Sequence, residues 1–187
     1  MMTRLALAVA LAAALPAAAL AQQPAATPPS SGAAADPGAA GLAAMRGNWK
    51  QVTGFITAAA NDFSEADYAY RPVETVRTVG QMIGHVAGAQ YMMCAAALGE
   101  PPRGEDEVEK AATSKAALVK ALKESTDYCA RAYEQSAAAT TAPAQLFGQS
   151  VTRAYALSLN AVHNGEHYGN LITYMRMKGM VPPSSRR

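Results

Sequence analysis

The chain of 187 residues balances 16 lysines and arginines against 14 acids for a net charge of +2, and half of it is apolar although only 6% is aromatic. Alanine explains the mismatch: there are 44, of which 19 fall in the first 50 residues, so the amino-terminal apolar content supplies little core. The basic residues are scattered rather than gathered into a stripe or arm, which argues against a nucleic-acid partner. The absence of a glycine-rich phosphate loop, a CxxC pair and a CxxCH site excludes P-loop, thioredoxin-like and c-type cytochrome chemistries.

Arg4 precedes an apolar run from Leu5 to Leu15; Pro16 follows, and Ala19-Leu20-Ala21 makes a small-x-small cleavage site. The spacing predicts a secretory signal peptide over residues 1–21, with export to the bacterial periplasm or medium. The run is about half the ~20 residues needed to cross a bilayer, so no membrane span is expected in the mature protein. Residues 22–41 are rich in Ala, Pro, Ser and Gly with Asp36 as the only charge, the composition of a flexible tether. One domain is expected over residues 42–183, with a tail at 184–187.

Within that domain four helices are predicted and no strand, since no stretch shows sustained apolar/polar alternation. The first covers about residues 42–61, with Leu42, Met45, Trp49, Val52 and Ile56 on one face. An irregular link with Arg71-Pro72 leads to the second, about residues 76–98, which ends at Gly99 ahead of Pro101-Pro102. The third starts from Thr113 or Ser114 and continues to about Ser136, turning Leu118, Leu122, Thr126, Cys129 and Tyr133 inward. The fourth is expected from near Leu146 to Lys178, stopping at Gly179. These elements make an all-α four-helix bundle. Residues 99–112 are long enough to return along a helix, which allows helices two and three to run parallel through a crossover.

The chain has three histidines, and all fall on candidate inward faces. His163 and His167 lie one turn apart on the fourth helix, on an arc shared with Asn160, Asn170 and Tyr174. His85 lies midway along the second helix beside Gly88 and Ala89, small residues that let a neighbouring helix or a ligand approach. Neutral imidazole suits zinc, nickel, cobalt and iron, and three histidines leave a coordination position where water can be acidified or a substrate atom polarised. The alternative is that each histidine is a hydrogen-bonded core residue. Glu166 completes the pattern HxxEH of inverted zinc peptidases, but only 20 residues follow His167, too few for their downstream acidic ligand. Glu166 is the candidate catalytic residue, as a general base or as an orienting partner of a histidine; a solvated helix position is the other reading.

Arg71-Pro72 and the run from Arg77 to Ala87, then HNGEHYG at residues 163–169, Tyr174-Met175-Arg176, Gly179 and Val181-Pro182-Pro183, resemble the two signatures of the DinB-like proteins. The resemblance spans roughly Leu42 to Ser185. It implies an up-down-down-up bundle with a divalent ion, usually zinc or nickel, on one histidine of the second helix and two of the last, which match His85, His163 and His167. It also implies activities such as thiol-dependent transfer or isomerisation of a small-molecule substrate, and makes a homodimer plausible. The chain departs from the family in its export signal and in Asn170, where glutamine is more usual. Glu166, Asn160, Asn170 and Tyr168 are candidates for proton handling or for supporting the ligands. A metal-dependent transferase or hydrolase is one expectation; a non-catalytic metal-binding or stress-associated scaffold, lacking a substrate-sized pocket beside the metal, is the other.

Cys94 and Cys129 are the two cysteines. Parallel second and third helices bring them to similar levels and make a disulfide possible, whereas an antiparallel hairpin does not. Buried free thiols are the competing expectation. Ligation by histidine leads to metal affinity that falls as pH drops through ~6.5, where free imidazole protonates.

Overall fold

The computed structural model describes residues 36–186. The signal-peptide reading and most of the tether fall outside them. Four long helices form the bundle: α1 (Pro37–Asp62), α2 (Val79–Leu98), α4 (Lys115–Tyr133) and α6 (Arg153–Met177). Two short helices, α3 (Glu107–Ala111) and α5 (Ala137–Thr140), lie in the connections, and β1 (Pro143–Leu146) and β2 (Gln149–Thr152) form a hairpin before α6.

Polar side chains decide where the helices start. Asp36 accepts from the Gly38 amide and Pro37 takes the first helical position, so α1 begins within the stretch expected to be a tether, and Pro37 to Gly41 are helical. Alanine, the best helix former, carries that extension. Thr78 and Gln81 make a reciprocal capping box, which moves the start of α2 from the expected Val76 to Val79. Ser114 caps α4, and Thr152 caps α6.

The fourth helix is shorter than expected, starting at Arg153 instead of near Leu146. The residues ahead of it pair antiparallel, Pro143 with Thr152 through Leu146 with Gln149, around a turn in which Phe147 (φ 51°) and Gly148 (φ 73°) are both left-handed. That turn twist suits a two-residue hairpin. The strands are only four residues each, too short for alternation to register, so the prediction of no strand fails here while the fold remains a helical bundle.

Side-chain pairs set the helix directions. Leu118 lies against Gly80 and Gly84, Ser125 bonds to Gln90, and Cys94 joins Cys129, so α2 and α4 run parallel. Tyr174 bonds to the Arg77 carbonyl while His163 reaches His85, which makes α6 antiparallel to α2. Arg46 reaches Tyr133 and Lys115 reaches Phe63, so α1 is antiparallel to α4. The topology is up-down-down-up, and residues 99–114 form the crossover it requires.

Two apolar clusters fill the bundle. One holds Ile56, Phe63, Ile83, Leu122 and Met175; the other holds Trp49, Met93, the disulfide, Tyr133 and Leu157. Between them lies a polar layer. Gln90, fully buried, accepts from Trp49 Nε1 at 3.1 Å and from Asn164 Nδ2 at 3.2 Å, and donates to Ser125 Oγ at 3.0 Å, which ties all four long helices through one amide. Replacing Gln90 by leucine should destabilise the domain by about 1–3 kcal/mol in urea unfolding, because buried partners lose their bonds.

The disulfide has a Cα–Cα distance of 5.3 Å and closes 35 residues, including the crossover. No thiol should alkylate before reduction. A Cys94→Ser, Cys129→Ser double variant should lose about 2–4 kcal/mol of stability, as expected for a loop of this size.

Candidate metal centre

His85 comes from the middle of α2, and His163 and His167 from successive turns of α6, facing it at the level of the polar layer. The three Nε2 atoms converge: His85 to His167 is 3.0 Å, His163 to His167 is 3.0 Å and His85 to His163 is 3.2 Å. Three neutral imidazoles cannot satisfy one another in such a triangle, since each ring has one N–H and one acceptor. The separations are those of three nitrogens bound at ~2.1 Å to one ion with ligand angles of roughly 90–100°. These three residues are the group, among the described residues, whose ligand atoms could together hold a metal ion.

Burial sets the electrostatics. Desolvation is the main cause that lowers all three histidines, bringing His85 to about 4 and His163 to about 3, with the nearby Arg77 guanidinium acting in the same direction. The free site is therefore neutral, the protonation state a metal needs. The expected fall in metal affinity near pH 6.5 accordingly moves to lower pH.

The crossover supplies two carboxylates that the sequence reading did not include. Glu105 Oε1 lies 3.8 Å from His85 Nε2 and 3.7 Å from His163 Nε2. Glu109 Oε2 lies 4.0 Å from His85 Nδ1, a buried nitrogen without a hydrogen-bond partner, and is held by Arg77 Nε at 3.1 Å. Their approach depends on two glycines one turn apart. A Cβ on Gly84 would sit 2.8 Å from Glu109 Cα, and one on Gly88 would overlap the Glu105 carbonyl. The small residues beside His85 thus admit the crossover backbone rather than a ligand.

The other expected supporting residues divide. Asn170 is at the site: its amide nitrogen Nδ2 lies 3.3 Å from His167 Nδ1, and with the amide turned end for end its oxygen would accept from Nδ1–H and leave Nε2 free for an ion. Glu166 is exposed, on the rim of a cleft of about 780 Å³ that also takes in Arg77, Met82, Glu109, His167 and Asn170. Two expectations are corrected. Tyr168 stacks on Phe55 and bonds through its hydroxyl to Ser184, and Asn160 accepts from the Tyr133 hydroxyl, so neither serves the histidines. Asn160 shares the inward arc of the histidines but lies about a turn before His163, where it meets Tyr133 instead. A second cavity of about 690 Å³, between α2, the crossover and the hairpin, has no histidine in its wall.

A helical bundle with three inward histidines at the mid-level of two antiparallel helices defines the class: an all-α protein with a three-nitrogen centre between helices. The model of the DinB superfamily matches residues 48–171, and the chain belongs to that superfamily. Among solved structures it resembles a DinB-like protein from Bacillus cereus at 17% identity (TM-score 0.64, 74% of this chain and 93% of that one). A DinB-like protein from Bacillus subtilis is similar at 21% identity (TM-score 0.61, 77% and 99%). The mycothiol-dependent maleylpyruvate isomerase is similar at 16% identity (TM-score 0.58), over 70% of this chain and 59% of the isomerase. No curated protein matches the chain.

Because the buried histidines bind fewer protons folded than unfolded, they favour the folded state fully above about pH 6.5, and that contribution is lost as pH falls toward about 4. Urea unfolding of the metal-free protein should show this decline, and a His163→Asn variant should show a shallower one.

Proposed function

We propose that this is an exported, divalent-metal-binding member of the superfamily with His85, His163 and His167 as ligands and zinc or nickel as the ion. The observation that carries the reading is the triangle of Nε2 atoms 3.0–3.2 Å apart, with no other use for three desolvated nitrogens. The Cys94–Cys129 disulfide supports export, since such bonds persist in oxidising compartments, as does the amino-terminal apolar run. No helix among the described residues is long and apolar enough to cross a membrane.

We further infer that the protein is a metal-dependent enzyme of transferase, isomerase or hydrolase type acting on a small electrophile. A bound divalent ion would supply Lewis acidity and lower the pKa of a coordinated water or thiol. The protein's own part is positional. Asn170 holds the His167 ring, and the cleft beside His167 gives a small molecule access, with the Arg77 guanidinium, partly exposed in its wall, able to attract anionic groups. Glu166 lines the same cleft, which supports its role as the base that takes a proton from a substrate group entering there. A scaffold needs no such cleft, so its presence favours the catalytic reading. The similarity to a thiol-dependent isomerase makes thiol transfer a reaction to screen, together with hydrolysis.

Elemental mass spectrometry of the untagged mature protein should find about one equivalent of metal, lost in a His163→Ala, His167→Ala double variant. Failure to take up zinc, nickel, iron or manganese would leave the histidines as core residues. Metal affinity should change little between about pH 7 and pH 6, because the ligands are already neutral there; a steep loss centred near 6.5 would contradict the desolvated site.

A further inference from the structure

We propose that Glu105, carried by the crossover, is the fourth protein donor of the centre, completing a three-histidine, one-carboxylate shell. This rests on the three-histidine reading and specifies how its remaining position is filled.

The argument is geometric. Three nitrogens 3.0–3.2 Å apart form the base of a compressed tetrahedron around one ion. A fourth donor at its apex, at ~2.1 Å from the ion, would lie roughly 3.6 Å from the basal nitrogens. Glu105 Oε1 lies 3.8 Å from His85 Nε2 and 3.7 Å from His163 Nε2 but not within 4.0 Å of His167 Nε2, so it stands on the His85–His163 side of that apex. Both distances are too long for a hydrogen bond, so the carboxylate is not there as an acceptor for either ring.

The backbone holds it in place by independent means. The Glu105 carbonyl packs against the bare Cα of Gly88, and the next turn of the crossover packs against Gly84. Glu107 accepts from the Gly104 amide at 2.8 Å, and Arg77 holds Glu109 on the far side, so the loop is anchored on either side of Glu105. Glu109 has a different place. It faces His85 Nδ1, the nitrogen pointing away from the triangle, at 4.0 Å, beyond hydrogen-bond reach, and is bonded to Arg77 instead.

A glutamate on a connecting loop, its side chain about one-third exposed, is a displaceable ligand, unlike the three more enclosed helix histidines. With an ion bound it would close the shell, and an anionic or thiolate group could take its place. The charge of an ion with one carboxylate and three neutral imidazoles is +1, which still favours such an anion.

The test uses the mature, disulfide-intact protein and Glu105→Gln, Glu109→Gln and His163→Ala, His167→Ala variants, each checked for helix content. Zinc affinity is read by competition with a chromophoric chelator and coordination number by the visible bands of the cobalt(II) form. Glu105→Gln should weaken zinc by at least ~10-fold and replace intense four-coordinate cobalt bands with weaker ones of higher coordination. Glu109→Gln should leave those bands unchanged. Unaltered affinity and spectrum in Glu105→Gln, with metal lost in the double-histidine variant, would overturn the proposal and leave the histidine site standing. A wild-type protein that takes up neither zinc nor cobalt would remove both. Were Glu105→Gln to misfold, Gly88→Ala, which displaces the crossover backbone, should give the same spectral change.

Discussion

Three imidazoles, two buried and one half-buried, at mid-height of a mainly apolar bundle are the constraint around which the molecule is built. Desolvation makes their charged forms costly, so they stay neutral and acceptor-capable, and their Nε2 atoms meet where no protein hydrogen-bond pattern can satisfy all three. A bundle tolerates this only if the surroundings hold the rings rigidly. Gln90 does so by tying α1, α2, α4 and α6 at the same level, and Asn170 by holding the His167 ring from behind.

The second consequence is topological. With α2 and α4 parallel, the chain must return the length of the bundle between them, and that return passes over His85. Gly84 and Gly88 let its backbone lie directly on α2, which brings Glu105 and Glu109 to the histidines. The disulfide then pins the far ends of the same two helices, so one covalent bond and one glycine groove fix the crossover at both ends. The crossover is both connection and wall of the site.

The superfamily and the bundle were legible because long amphipathic helices advertise themselves by spacing, and because two histidines at i and i+4 on an inward face are visible in one dimension. The caps were partly legible: Gly99 and Ser114 were read, whereas the Thr78–Gln81 box and the Asp36-Pro37 start were not, although both carry recognisable residue types. The hairpin at residues 143–152 was not legible, since four-residue strands have no period to detect and its turn places phenylalanine at a left-handed position. Asn160 shows the limit of helical arcs. It was expected on the inward face and is buried, but an arc says nothing about which neighbouring helix a side chain meets, and it meets Tyr133 instead of the histidines.

What the sequence determined by itself was local: which segments are helical, which faces turn inward, and that His163 and His167 share one face with His85 facing inward on another helix. Those properties depend on neighbours within a few residues, through side-chain period and backbone capping. Only the tertiary structure decided that the three nitrogens meet within 3.2 Å, that Cys94 reaches Cys129, and that two glutamates from an irregular connector stand beside the histidines. His85 meets the α6 histidines, and Cys94 meets Cys129, across tens of positions, and the glutamates arrive because parallel α2 and α4 demand a crossover and two glycines leave room for it.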